Sequence, residues 1–197
     1  MVAAALFILI FSIFFYAAKM EGYLVESWIA VSESGEMEIL GSTFDKMFSQ
    51  PSTVFLTHKI NRSKLPYQGR LYLYIPHMYR SYLAVYVDGV KIGSCGFAEK
   101  RAGYFWNQPV IFELPDDFNE ITLEVSVLYR IGTGSGVYII PYSETKKYRL
   151  LSFMTRVMIP LAIGMALSIG IVLILLSTSL SLDERKSYVY FGIASLL

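Results

Sequence analysis

The chain has one cysteine, Cys95, among 197 residues. No intrachain disulfide can form, which excludes a small disulfide-stapled scaffold and leaves any folded domain to stand on its apolar core. Histidine is almost as scarce: His58 and His77 are far apart in sequence, with no Cys, Asp or Glu at metal-ligand spacing around them. Both read as ordinary surface or core histidines, and no metal or other cofactor is expected. Excess charge of either sign is also lacking, since 17 Lys and Arg face 16 Asp and Glu, and no basic run interleaves with aromatics. A nucleic-acid surface needs such a run, so nucleic acid is not an expected partner.

Catalytic patterns are missing too. There is no GxSxG elbow, and Glu113, Asp116 and Asp117 have the spacing of a solvated turn. The Gly132-Thr133-Gly134-Ser135-Gly136 run lacks the Lys-Ser or Lys-Thr that opens a helix in a phosphate loop; the strand-like VYII follows, so a flexible hairpin or crossover is expected. No catalytic residue is assigned. Asn61-Arg62-Ser63 fits the N-glycosylation pattern, a triplet common by chance.

Apolar residues are abundant, at 54 % against 17 % charged. They concentrate in two stretches, 2–18 and 157–182, that hold no Asp, Glu, Lys, Arg or His. A bilayer core of about 30 Å needs roughly 20 apolar residues of helix, so the second stretch spans with tilt to spare and the first just spans. A secretory signal is the rival reading of the first. Only the Met1 amine precedes it, however, and Phe15 or Tyr16 falls where cleavage wants a small residue, so an uncleaved anchor over 1–19 is expected. A transmembrane helix is expected over 153–182. After the charged turn 183–186, residues 187–197 are apolar but too few to cross, and are expected to begin a further transmembrane helix of a longer chain rather than lie in the interface.

The middle, 20–150, alternates with period two in short runs rich in Val, Ile, Tyr and Phe, separated by Gly, Pro, Asn and Asp. Strands are predicted at 53–60, 70–75, 82–87, 90–93, 110–114 and 121–129, with shorter ones at 37–40 and 136–140, suiting an all-β antiparallel sandwich. Asp88-Gly89 predicts a two-residue type I′ hairpin, which would put Leu83, Val85 and Val87 on one buried face. Leu71, Leu73 and Ile75 share a face by the same alternation, as do Ile121, Leu123, Val125 and Val127. A helical turn is expected around 43–48.

Two further groups bear on function. Arg101, Tyr104, Trp106 and Asn107 bring cationic, aromatic and amide groups into one long connection, the composition of a loop that stacks against and hydrogen-bonds a small polar ligand; a loop folded back on its own sandwich is the bland reading. Ala162, Ala166 and Gly170 recur every four residues and would let a neighbouring membrane helix approach closely.

Three stretches resemble a known family: YLAVYVDGVKIGS, the pair NEITLEVSVLYR and GVYIIPYSE, and RVMIPLAIGMALSIGIVLILLSTSLSLDERKSYVYFGIASLL. They look like the seven-transmembrane receptors with diverse intracellular signalling modules, bacterial sensors with an extracytoplasmic jelly roll ahead of their helices. The resemblance implies a membrane protein: a jelly-roll sandwich, similar to galactose-binding-like modules, flanked by transmembrane α-helices in the cell (inner) membrane. It further implies a sensor that binds a carbohydrate-like or other small polar ligand, or a partner protein, with any output enzyme beyond Leu197. The expected partners are therefore the lipid bilayer, that ligand, and further membrane helices of the same chain or of a partner. Orientation is contested. Lys146, Lys147, Arg149 and Arg156 outnumber Arg185 and Lys186 across the second stretch, which favours a cytoplasmic domain by the positive-inside tendency, whereas the resemblance places the domain outside. The rival function is a non-sensing assembly or scaffold subunit that docks a partner through its sandwich.

Overall fold

Val, Ile, Tyr and Leu at alternate positions can bury one side of a pleated strand while the other side stays wet. In the computed structural model, which describes residues 12, 21–97, 108–177 and 189–190, that pattern becomes twelve strands. They are β1 (Tyr23–Leu24), β2 (Ser27–Ser32), β3 (Met37–Gly41), β4 (Phe44–Met47), β5 (Ser52–Lys59), β6 (Leu71–Ile75), β7 (Tyr82–Val87), β8 (Val90–Gly96), β9 (Val110–Glu113), β10 (Glu120–Val127), β11 (Arg130–Thr133) and β12 (Tyr138–Pro141). All pairings are antiparallel. One sheet runs β1-β12-β6-β9 and the other β3-β2-β5-β10-β7-β8, while β11 and β4 form a separate ribbon.

Between the sheets lies one apolar core, with the three faces predicted from alternation at its centre: Leu71, Leu73 and Ile75; Leu83, Val85 and Val87; Ile121, Leu123, Val125 and Val127 are all buried. The Asp88-Gly89 hairpin also forms as predicted, with φ of 47° and 80° at the two turn residues. The Asp88 carboxylate then accepts from the Asn119 and Glu120 amides, tying this hairpin to the start of β10.

Three features depart from the sequence reading. β1 and β2 were not predicted, because Tyr23-Leu24 is too short to show a period and SWIAVS carries an apolar residue at both faces. The expected helical turn at 43–48 is instead strand β4, which pairs residue for residue with β11 from Phe44↔Thr133 to Met47↔Arg130. That partner lies far along the chain, and its ladder outweighs local preference. The Gly-rich run is partly strand, with Gly132 and Thr133 inside β11. Asn61 caps a short 3₁₀ turn, its side chain accepting from the Ser63 amide at 2.9 Å and the Ser63 hydroxyl at 2.7 Å.

After β12 a 3₁₀ turn leads into helix α1 (Thr145–Phe153). Tyr148 and Leu151 of α1 cover the outer face of the four-stranded sheet, where Tyr74 meets Tyr148 edge-on at 5.9 Å between ring centroids. Burial, then the neighbouring Tyr148 and Tyr138, raises the pKa of the Tyr74 phenol. Glu144, buried at the start of α1, accepts from the Glu21 amide at 3.0 Å and from Lys147 at 2.9 Å. The two ends of the sandwich therefore lie side by side, as the β1–β12 pairing requires.

A second unit begins at Phe153. It contains a π-helical turn, Met154–Met158, and helix α2 (Ile159–Ser177). Pro160 has no N–H for the i→i−4 ladder, and the wider π spacing lies immediately before it. The helical stretch Tyr142–Leu176 is long and apolar enough to cross a membrane. Ser168, a polar residue within it, returns its hydroxyl to the Gly164 carbonyl at 2.8 Å. Along the small-residue stripe Ala162 is exposed, Ala166 half-buried and Gly170 buried.

Candidate functional site

The ligand residues proposed from sequence, Arg101, Tyr104, Trp106 and Asn107, lie outside the described residues, as do the expected anchor over 1–19 apart from Ser12 and most of 187–197. The described residues offer another site, a cleft of about 300 Å³ along the β4–β11 ribbon. One wall comes from Phe44, Asp45, Arg130 and Thr133, and the other from His77 to Tyr79 after β6.

The ribbon closes because residue 132 is glycine: a Cβ there would stand 2.7 Å from the Phe44 carbonyl oxygen and 3.1 Å from an Asp45 carboxylate oxygen. Closure brings two side chains 85 positions apart into a two-pronged ion pair, Arg130 Nε to Asp45 Oδ1 at 2.7 Å and Nη2 to Oδ2 at 2.6 Å. The guanidinium also lies over the Tyr79 ring, 4.4 Å from its centroid. Hydrogen bonding to Arg130 lowers the Asp45 pKa, so the pair stays charged well into the acid range.

The opposite wall is held from behind. Tyr79 donates its amide to the Gly132 carbonyl at 2.9 Å. Its neighbour Arg80 is buried, donating to the Met78 carbonyl at 3.1 Å and the Gln108 carbonyl at 2.8 Å. His77 stands at the rim, its Nδ1 at 2.7 Å from the Ser135 hydroxyl. Packing on one side desolvates the ring and lowers its pKa, so it is neutral at pH 7. The cleft thus has a carboxylate and a guanidinium that cancel, a neutral imidazole, and the half-buried Phe44 ring on its wall. That set can bind a polar molecule. Among the described residues no group of three or more His, Cys, Asp or Glu is arranged to hold a metal ion.

The sequence reading missed this site. Its ribbon wall comes from β4, read as helical, and from β11, which runs into a Gly-rich stretch read as a flexible hairpin or crossover, while His77 on the other wall was read as an ordinary histidine. The only local signal was the unusual Gly content of 132–136, which marks close backbone approach.

No protein-family model matches the chain, and no curated protein does. Among solved structures, the chain is similar to an FMN-binding β-glucuronidase from Facaelibacterium prausnitzii, with 15% identity and a TM-score of 0.43 over 60% of this chain and 22% of that one. It is also similar to a β-galacturonidase from Eisenbergiella tayi bound to galacturonate, with 17% identity and a TM-score of 0.40 over 61% and 24% of the two chains. Tandem carbohydrate-binding modules of a Streptococcus pneumoniae glycoside hydrolase align at 12% identity and a TM-score of 0.32, over 58% of this chain and 36% of that one. The chain spans about a quarter of the length of the first two structures, and these likenesses assign no activity to it.

Proposed function

We propose that this chain is a membrane-tethered, non-catalytic binding module: a jelly-roll sandwich, held outside the cytoplasm, that takes up a small polar, carbohydrate-like ligand and reports it through its helices. The observation that carries this reading is the cleft at Asp45, Arg130 and His77. It presents fixed polar groups beside an aromatic wall, the usual makeup of a small-molecule site. The tether is the apolar part of the helical stretch Tyr142–Leu176, and the contact of α1 with the outer face of the four-stranded sheet supports a route by which strain in the sandwich reaches it. A ligand shifts such an equilibrium only by its differential affinity for the two states.

A thermal-shift screen of the detergent-solubilised chain against small polar molecules tests the reading. A stabilising compound is expected whose effect disappears in Arg130→Ala. The residues proposed from sequence are compared in the same assay: if Trp106→Ala abolishes the shift and Arg130→Ala leaves it intact, the loop is the site and the cleft is not.

One observation favours the scaffold reading as a second possibility. Ile29, Ile39 and Phe55 form an outward apolar patch with Met37 on neighbouring strands β2, β3 and β5, and β3 is an edge strand. If docking is the role, Ile39→Lys releases a stoichiometric partner in detergent pull-down while the screen finds no ligand.

A further inference from the structure

Binding in the cleft, as proposed above, leaves the class of ligand open, and the charges on its walls narrow it. The carboxylate of Asp45 accepts one hydrogen bond per oxygen from Arg130 and has no other partner among the described residues, while an ionised carboxylate offers about four lone-pair sites. Two acceptors therefore remain side by side, held in a fixed plane by the guanidinium. His77 has one ring nitrogen on Ser135, leaving Nε2 without a partner among the described residues. Phe44 supplies the nearest apolar wall, because a face of Tyr79 is already occupied by Arg130.

We infer that the cleft selects a neutral ring bearing adjacent hydroxyls, such as a neutral hexopyranoside, and discriminates against acidic and basic sugars. Two neighbouring hydroxyls donate to the two Asp45 oxygens, a third meets His77 Nε2, and the C–H face of the ring lies toward Phe44. An acidic ligand would need an uncompensated cation. Arg130 is neutralised by Asp45, and Lys46 on the next residue is paired with Glu38 at 2.6 Å. A cationic ligand would find the Asp45 charge already spent on Arg130. The cleft volume of about 300 Å³ suits one ring.

Isothermal titration of the full chain in nanodiscs tests this inference with methyl hexopyranosides, a deoxy analogue lacking one of two adjacent hydroxyls, glucuronate and glucosamine. At least one methyl hexopyranoside is expected to bind, with the deoxy analogue and both charged sugars at least tenfold weaker. Asp45→Asn should weaken binding at least tenfold; His77→Ala, a rim change that leaves the ribbon intact, should weaken it several-fold, with an unchanged melting temperature confirming the fold. If glucuronate or glucosamine binds as tightly as the neutral sugars, and Asp45→Asn still abolishes binding, the neutral-diol inference falls and the cleft stands. If neutral sugars bind but neither variant changes their affinity, the inference is overturned and the cleft reading goes with it; if no sugar binds, the inference is overturned and the Arg130→Ala comparison in the thermal-shift screen decides the cleft.

Discussion

Gly96 shows how tightly single positions constrain this sandwich. Its φ is +90°, and a Cβ there would collide with the Ser81 carbonyl oxygen, so Gly96→Ala combines left-handed strain with a backbone clash. A loss of about 2–3 kcal/mol is expected, read as a lower urea midpoint for the detergent-solubilised chain. The cleft residues make stability depend on pH in two steps of the same sign. His77 has a folded pKa below 6.5, so the unfolded chain takes up its proton first; stability is complete above 6.5 and declines as pH falls from there through the folded value. Asp45 has a folded pKa below 3.8, so its contribution is complete above 3.8 and is lost as pH falls through the lowered value. Melting temperatures measured from about pH 8 to about pH 3 should show both steps, with His77→Gln removing the upper and Asp45→Asn the lower. Asp88-Gly89 was legible because its turn is local chemistry. The Asp45–Arg130 pair was not, since nothing near either residue announces a partner 85 positions away.

Among the strands, β10 is the keystone, pairing along its length with β5 and again with β7. Its buried face was plain from alternation, and Leu123→Ala at its centre should cost about 2–5 kcal/mol in the same denaturation assay, a transfer term plus a cavity. Strand β4 shows the opposite case. FDKM has no alternation long enough to read, and only the ladder with β11 makes it extended. Helix α1 also depends on its setting. Its nine residues are too few to be stable alone, and it is held by Tyr148 against Tyr74 and by the Glu144 contacts. Tyr148→Ala is therefore expected to speed hydrogen exchange across 145–152 at least tenfold while leaving the β10 amides protected.

For the chain as a whole, the Tyr142–Leu176 stretch predicts that alkaline carbonate will not extract the protein from membranes and that detergent will; release by carbonate would remove the tether. The same stretch marks the division of labour between chain and fold. The amino-acid order alone determined the apolar segments, the antiparallel β character of the middle, three faces of its core and the absence of a disulfide within these 197 residues. Each of these is set by composition or by a period within a few neighbouring residues. Folding decided the rest: the edge position of β3, the clasp between Glu21 and Glu144, and a cleft whose carboxylate, imidazole and guanidinium come from distant segments. Those features arise from pairing register and close backbone approach across long loops, and no local pattern of side chains encodes which distant strand will be the partner.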